Sequence, residues 1–351
     1  MLEIEFHDRE REIREITNIL SCRPDLITFV YGPINSGKTE LLNHITDSLP
    51  ENFVVFYINL RERLIRNYSD FIEALFEINE SRKRKLVKEL VAEVTKFAGI
   101  PISRTLLDQF FGEEKLKNAF RYIVEVVKEV RERKKMPVII MDELQKIGDV
   151  KIDNMLIYEL FNLFIRLTKE MHSCHVFAVT SDSLFMERVY AEASLHGRCR
   201  YLLVDDFDYE TARSFLEKYG FSEDEIELTW EYFGGKPVYL VEAVKERDRL
   251  REFCEEMLGL RKSEIAQSLK MLRELGDEVV IRGRKYEVSY KNVVSTLREL
   301  AKKEVLPNVV DEITKRYLVR ENILFADPVK GILRFQSRLD MLAVRALVAE
   351  L

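Results

Sequence analysis

Three absences narrow the class of protein that these 351 residues can form. The four cysteines, Cys22, Cys174, Cys199 and Cys254, include no Cys-x-x-Cys pair, so we expect neither a zinc ribbon nor a redox motif. No apolar run reaches the roughly 18 residues that cross a bilayer, so we expect no membrane span. The first residues, MLEIEFHDRERE, lack the apolar core of a signal peptide, which predicts a cytoplasmic protein.

Charged residues are abundant and unevenly distributed. They make up 33% of the chain, a balance typical of proteins from hot environments, where ion-pair networks are favoured. Residues 260–351 carry 18 Lys and Arg against 13 Asp and Glu, which gives +5. Because the whole chain carries −6, the remainder carries −11. The basic tail favours a nucleic-acid contact, and ordinary variation of surface charge explains it equally well.

The strongest chemical signal is a phosphate-binding motif. The sequence GPINSGKT at positions 32–39 matches G-x-x-x-x-G-K-[ST] throughout. An apolar run at 26–31 predicts a buried parallel strand before it, and the apolar spacing at 41–49 predicts a helix after it. The predicted nucleotide-binding residues here are Gly32, Pro33, Ile34, Asn35, Ser36, Gly37, Lys38, Thr39 and Glu40.

The residue types of this motif suit a nucleotide phosphate chain. The glycines let backbone N–H groups turn inward around an anion, at the positive end of the following helix. Lys38 brings a compact charge to the β- and γ-phosphates, and the Thr39 hydroxyl is suited to ligate Mg²⁺.

An acid pair follows a second apolar run. Residues 137–141 predict a buried strand that ends at Asp142 and Glu143, and ligands bind at the carboxyl edge of such a sheet. We therefore expect Asp142 to hold Mg²⁺ through water and Glu143 to act as the general base toward the attacking water.

The strand predicted at 175–179 ends in Thr180, Ser181 and Asp182. Thr180 or Ser181 could hydrogen-bond the γ-phosphate or the attacking water; alternatively, Ser181 or Asp182 caps the next helix. The nearby HSCH run at 172–175 lacks a second ligand cluster, so we interpret it as structural.

Two arginines precede the apolar run 201–204, which with 54–58 completes a set of five predicted strands. An arginine there can neutralise charge on a transferred phosphoryl group, in its own site or in that of a neighbouring subunit. We favour Arg198, because Gly197 frees its backbone, and place Arg200 within the strand. The alternative is a solvated strand end.

These motifs, in this order, resemble the archaeal P-loop ATPases of the AAA+/STAND type over almost the whole length. The resemblance includes the box FHDREREI at 6–13, similar to F-x-x-R-E-x-E-L, and the segments GPINSGKT and VIIMDE. It also includes the strand-tip pair Thr180-Ser181, the Gly-Arg at 197–198 and the GGKP turn at 234–237, similar to G-G-x-P.

The resemblance implies an α/β fold of three layers with sheet order 5-1-4-3-2, a helical lid and a C-terminal winged-helix domain. It implies ATP with Mg²⁺, Arg9 beside the adenine, and the turn with Pro237 approaching the nucleotide. Lys236 lies near the place where many such proteins put a second sensing arginine. The domains would be 1–207 with a helical insert at about 68–134, the lid 208–258, and the winged helix 259–351.

The insert and the tail are less specific. In the insert, the run 81–97 predicts an amphipathic helix through the apolar residues Leu86, Leu90, Val91 and Val94. In the tail, runs at 323–326 and 332–335 predict a hairpin wing. A winged helix binds DNA or docks a protein, and DNA is slightly favoured by the basic residues Lys302, Lys303, Lys315, Arg316 and Arg320.

The sequence thus predicts an ATP-hydrolysing protein whose catalytic residues are Lys38, Glu143 and Arg198. A nucleotide-dependent switch, a remodelling enzyme and a DNA-binding regulator whose ATPase gates assembly are all compatible with it. The partners expected are ATP and ADP, then duplex DNA or a protein at the tail. Oligomerisation stays open.

Overall fold

A computed structural model describes residues 4–62, 64–79, 95–108, 115–147, 155–192, 195–281, 283–308 and 310–350. The strands are β1 Ile27–Tyr31, β2 Phe53–Asn59, β3 Phe76–Asn79, β4 Lys96–Phe97, β5 Ile100–Ser103, β6 Met136–Asp142, β7 His175–Thr180, β8 Cys199–Leu203, β9 Glu278–Ile281, β10 Arg284–Glu287, β11 Val305–Pro307, β12 Leu324–Asp327 and β13 Ile332–Phe335. The helices are α1 Glu10–Ser21, α2 Lys38–Asp47, α3 Tyr68–Leu75, α4 Arg104–Asp108, α5 Lys115–Glu132, α6 Met155–Ile165, α7 Ser183–Glu192, α8 Tyr209–Lys218, α9 Glu223–Phe233, α10 Pro237–Lys245, α11 Leu250–Leu275, α12 Tyr290–Lys303, α13 Glu312–Arg320 and α14 Arg338–Glu350. Within the described ranges, no helix is long and apolar enough to cross a membrane.

The central sheet is parallel and has the order β4-β2-β6-β7-β1-β8. The five predicted strands therefore lie in the expected order, read from β8 to β2. The sheet is not identical to the expected one, because the two-residue β4 extends its edge beside β2. Single-sequence reasoning could not place so short a strand, since two residues carry no alternation.

Burial on both faces explains why the central strands are apolar throughout. Every residue of β1 and β7 is buried, and successive β1 side chains point to opposite faces. Phe29 joins the core formed with α5 and α6, whereas Val30 joins the core formed with α1 and α2. Helices on both faces thus cover the sheet and leave its carboxyl edge to the loops.

The insert is less helical than predicted. Besides α3, α4 and α5 it contains β3 and β5, which pair in parallel as a separate small sheet. The helix predicted from the run 81–97 lies almost wholly outside the described residues, as do Leu86, Leu90, Val91 and Val94.

The helices α8 to α10 and the first part of α11 share one core, and the rest of α11 packs with α12 to α14 in another. The single helix α11 runs through position 258, where the predicted lid gives way to the predicted tail. The wing hairpin occurs as β12 and β13, in a sheet of order β11-β13-β12. A second hairpin, β9 with β10, was not predicted.

The tail packs against the carboxyl edge of the central sheet. Phe325 of β12 belongs to the core of the sheet, and Leu184 of α7 belongs to the core of the tail. Leu339 of α14 joins the core of the lid. Since apolar side chains cross in both directions, the nucleotide-binding half, the lid and the tail form one packed body.

Candidate nucleotide-binding site

The phosphate-binding motif forms the turn between β1 and α2, as predicted. Gly37 lies just before α2 with φ of 87°, a left-handed conformation that favours glycine. Its N-cap is Gly37 itself, which has no side chain to bond the first N–H groups. The first N–H groups of α2 therefore face an anion site at the positive end of the helix.

Lys38 is buried and already held in the mouth of the loop. Its ammonium donates to the carbonyls of Gly32 at 3.1 Å and Pro33 at 2.7 Å, and to Ser36 Oγ at 3.3 Å. Burial, together with the like charge of Lys236, lowers the pKa of Lys38 to about 7. This cation lacks a counter-charge sufficient for its burial, and a phosphate chain would supply one.

The predicted metal ligands meet. Thr39 Oγ1 donates to Asp142 Oδ2 at 2.8 Å, which brings a hydroxyl and a carboxylate oxygen together at the carboxyl edge. Such oxygens, completed by phosphate and water, are what Mg²⁺ prefers, so the residues fit this ion. Sequence reasoning missed Tyr57, which donates to the same Oδ2 at 2.7 Å and orients the carboxylate.

Glu143 is held by two partners that the sequence did not point to. It has φ of 58°, and its Oε1 accepts from Arg61 at 2.8 Å. Its Oε2 accepts from Gln145 Nε2 at 2.8 Å. The one available signal for Arg61 was its position just after β2, whose carboxyl end lies beside Asp142.

The Thr180 hydroxyl is hydrogen-bonded to the residues around Glu143 and does not point freely into the nucleotide site. Its Oγ1 donates to Gln145 Oε1 at 2.8 Å, so Gln145 links the tip of β7 to Glu143. Asp182 caps α7 by accepting from Leu184 N at 2.9 Å, which was one of the two alternatives for this segment. Ser181 lies half-buried between them.

Arg9 contacts the phosphate loop itself. Its guanidinium donates to Ser36 O at 2.6 Å and stacks 4.4 Å from the ring centre of Phe207. Burial lowers the pKa of Arg9, while Glu12 and Asp206 favour its charged form. The guanidinium thus fastens the leading segment to the loop, and its predicted place beside an adenine stays a prediction.

Lys236 brings the lid to the same loop. Its side chain is 2% exposed, donates to Ile34 O at 3.2 Å and pairs with Asp206 at 2.9 Å. The close approach explains the preceding glycine: a Cβ on Gly235 would lie 1.8 Å from Phe207 O. Pro237 begins α10 at its first residue, where its fixed φ suits a helix start.

The tail also reaches the loop. Gln336 Oε1 accepts from Ile34 N at 3.2 Å, and Tyr31 donates to Asp327 Oδ1 at 3.2 Å. Arg334 forms an ion pair with Asp205 beyond β8. None of these three tail contacts was predicted, because contacts between residues 129 to 302 positions apart leave no local pattern.

Arg198 does not reach the phosphate loop of its own chain. Its carbonyl accepts from Ile27 N, and the register sets Ile27 against Cys199, so Arg198 lies at the amino edge of the sheet. Five strand residues, about 16 Å, separate that level from Gly32. The contact within one chain was therefore wrong, and a contact to a neighbouring subunit stays a prediction. Arg200 pairs with Asp25.

The HSCH run is structural in this fold. His172 Nδ1 lies 2.6 Å from Pro24 O, and His175 is buried as the first residue of β7. Across the part of the chain that the structure describes, no group of three His, Cys, Asp or Glu side chains could hold a metal ion.

Comparisons with known proteins agree with this geometry. A family model described as an ATPase domain predominantly from Archaea matches residues 6–243. A second, for the C-terminal domain of uncharacterized MJ1010-like ATP-binding proteins, matches residues 251–348.

Two similar relatives are named uncharacterized ATP-binding proteins. One from Pyrococcus abyssi is 49% identical over 98% of both chains. One from Methanocaldococcus jannaschii is 43% identical over 99% of this chain and 98% of its own.

Two solved structures share the fold. The chain superposes on a Walker-type ATPase of Pyrococcus abyssi with a TM-score of 0.65 at 18% identity, covering 97% of this chain and 96% of that one. It superposes on the ORC2 protein of Aeropyrum pernix with a TM-score of 0.51 at 12% identity, covering 100% and 95%.

Proposed function

Because this chain belongs to the family of ATPase domains found predominantly in Archaea, we propose that it hydrolyses ATP with Mg²⁺ and acts as a nucleotide-dependent switch. In this proposal residues 1–207 bind the nucleotide, 208–258 form the lid, and 259–351 form the tail that responds. If the protein remodels a partner, the same nucleotide-dependent movement of the tail would act on that partner.

One observation carries the switch. Both polar backbone groups of Ile34, inside the phosphate loop, are bonded by other parts of the molecule: the tail's Gln336 accepts from its N–H, and the lid's Lys236 donates to its carbonyl. A change in the loop is therefore felt by lid and tail together. Linkage requires the reverse, so whatever moves the tail changes the affinity for nucleotide.

The chemistry proposed is attack of water on the terminal phosphate. Lys38 would neutralise phosphate charge, while Thr39 and Asp142 would hold Mg²⁺, which when bound polarises the phosphate oxygens. Glu143 accepts the proton of the water as the general base. Arg61 and Gln145 each donate to one oxygen of Glu143 and fix the orientation of the carboxylate, while each oxygen keeps a second lone pair that can accept the proton.

The switch is tested by hydrogen exchange of the full chain with and without ATP and Mg²⁺, in the Glu143→Gln variant to prevent turnover. We expect ATP to change the exchange of the backbone at 324–336 as well as at 32–39. If ATP changes exchange only in the phosphate loop, the switch is refuted, whereas the proposal that the protein hydrolyses ATP still stands. The Lys38→Ala variant, which should bind ATP far more weakly, is the control at an ATP concentration that saturates only the Glu143→Gln protein.

A second candidate function is binding of a nucleic acid by the tail. The excess of 18 basic over 13 acidic residues in 260–351 supports it. Retardation of a duplex by the full chain at low salt tests it, and no retardation below about 50 mM salt would exclude it, since phosphate contacts are strongest there.

A further inference from the structure

Of the basic residues that favoured DNA in the sequence, those of α13 are paired with acidic residues of the same chain. Lys315 of α13 is buried, and its ammonium pairs with Glu187 of α7 at 3.1 Å and with Glu312 at 2.7 Å. Arg316 pairs with Glu312 at 2.6 Å, and Arg320 pairs with Asp277. All of β12 is buried. These cations are neutralised within the chain.

The helix α12 presents a different basic face. Lys291, Ser295, Arg298 and Lys302 are all exposed. At about 100° per residue they lie within a 60° arc of the helix surface. Its other side carries the buried residues Val293, Val294, Leu297 and Leu300. The face is therefore held rigidly toward solvent by packing behind it.

The three cations of this basic face, Lys291, Arg298 and Lys302, have no ion pair or side-chain hydrogen bond to any residue that the structure describes. Their neighbour Lys303 differs, since it bonds Glu299 at 2.7 Å on the adjacent side of the helix. No acidic residue lies within the arc itself. The face thus carries about three uncompensated positive charges.

Lys291 is in a position that helix stability disfavours. It lies in the first turn of α12, which holds no acidic residue, and the positive end of the helix repels a cation there. A residue that destabilises its own helix in this way is expected to have a functional role, such as binding a ligand. An anion at this face would reverse the sign of that interaction.

We propose that the exposed face of α12, formed by Lys291, Ser295, Arg298 and Lys302, binds the phosphate backbone of duplex DNA. This inference rests on the second candidate function. Lys291 and Lys302 are 11 residues apart, so the cations span about 16 Å of a straight helix, longer than the 12 Å width of the major groove. Contacts to the backbone on both sides of a groove fit that span.

The chemistry favours a duplex over a single strand. The basic face contains no aromatic side chain on which an unpaired base could stack, and stacking is the usual means of holding single strands. Binding through three phosphate contacts is indifferent to sequence and sensitive to salt.

The test uses the full chain and a fluorescent 20-base-pair duplex, with anisotropy measured over a series of salt concentrations. The variant is Lys291→Gln with Arg298→Gln and Lys302→Gln. We expect at least a tenfold weaker Kd at about 100 mM salt. The slope of log K against log salt should shrink by about 2.7, since each phosphate contact contributes about 0.9.

A charge-matched control separates this face from net charge. Lys262→Gln, Lys285→Gln and Lys303→Gln remove three positive charges from the same tail, each ion-paired with a glutamate. We expect less than a threefold change in Kd. Thermal melts of both triple variants show whether each stays folded.

The outcomes are distinct. If the unaltered chain does not bind the duplex at low salt, the second candidate function fails and this inference with it. If it binds, and the α12 variant keeps the same slope, the DNA surface lies elsewhere and only this inference is overturned. If the control loses as much affinity as the α12 variant, general charge explains the binding and the inference also fails.

Discussion

Cations are used in opposite ways at the carboxyl edge of the sheet and on α12. At the edge, Lys38, Lys236 and Arg9 are buried, and each is held by backbone carbonyls at fixed distances. On α12, Lys291, Arg298 and Lys302 are exposed and make no such bonds within the described residues. Buried charges act strongly and in one geometry, whereas exposed charges are screened by salt and adapt to their target.

Burial of Lys38 governs how the phosphate loop binds nucleotide. A buried lysine whose pKa has fallen to about 7 is poised to gain a counter-charge, so nucleotide binding at the edge should be strong and proton-linked. The exposed cations of α12 are expected to bind a ligand neither strongly nor with uptake of a proton. Changes at the edge should therefore have the largest effects on activity, and changes on the surface the smallest.

The largest effect is expected for Glu143→Gln. The amide cannot accept the proton of the attacking water, so steady-state ATP turnover should fall by about 10²- to 10⁴-fold. ATP affinity, measured by titration calorimetry, should change less than threefold. Turnover close to that of the unaltered chain would remove Glu143 as the base.

Lys38→Ala tests the buried cation of the edge. Loss of a charged donor to phosphate should weaken ATP binding by about 10- to 100-fold, equivalent to roughly 1.4–3 kcal/mol. Lys303→Ala is the matched exposed lysine, and its ATP affinity should be unchanged. Equal effects of the two substitutions on ATP titrations would contradict the difference drawn between the two regions.

The pH dependence of binding follows from the pKa of Lys38. In the free protein Lys38 is charged below about pH 7 and largely neutral at pH 8, whereas bound phosphate favours the charged form. ATP binding at pH 8 should therefore take up close to one proton, and at pH 6 much less. Calorimetry in two buffers of different ionisation enthalpy measures the uptake.

Two further results check that linkage. The Lys38→Met variant should lose the difference in proton uptake between pH 6 and pH 8. The fold should also gain stability as pH rises from about 7, because a lysine with a lowered pKa binds fewer protons folded than unfolded. A uniform proton uptake in both proteins would show that another group titrates.

Arg61→Ala tests an ion pair between an exposed and a buried side chain, since Arg61 is 62% exposed and Glu143 is 10% exposed. An ion pair open to water on one side contributes about 0–1 kcal/mol, so releasing Glu143 should raise turnover by no more than about fivefold. Arg61→Lys should restore most of the restraint. A large fall in turnover would mean that Arg61 contacts the nucleotide instead.

The smallest effect within one chain is expected for Arg198→Ala. At the amino edge of the sheet Arg198 is remote from the loop, so dilute monomer should hydrolyse ATP within twofold of the normal rate. The measurement is turnover against protein concentration. If turnover rises with concentration in the unaltered chain and not in the variant, a neighbouring subunit receives this arginine, and mixing with Lys38→Ala protein should restore activity.

The sequence was sufficient where a fixed motif or the end of a parallel strand places the residues. The phosphate loop, its flanking strand and helix, and the meeting of Thr39 with Asp142 follow from a fixed motif and from parallel strands ending at one edge. The order of the five main strands agrees with the resemblance, whereas β4 and the β9–β10 hairpin were too short or too polar to be predicted.

Arg198 shows where local reasoning misled. The sequence correctly put it ahead of the last strand, and in a parallel sheet that position is the amino edge, opposite the phosphate loop, as the pairing of β8 with β1 shows. The basic residues of α13 show the same limit, since Lys315 counts as a positive charge in the sequence and is neutralised by Glu187, 128 positions away.

The sequence by itself determined the strand-loop-helix of the phosphate-binding motif, the acids that follow β6, and the wing hairpin of the tail, because each depends on residues near one another along the chain. Tertiary structure alone decided that Gln336 and Lys236 bond Ile34, that Arg61 and Gln145 hold Glu143, and that α12 rather than α13 faces solvent. Those contacts join residues brought together by packing of separate cores, and the free energy that selects them is spread over many apolar side chains instead of residing in a motif.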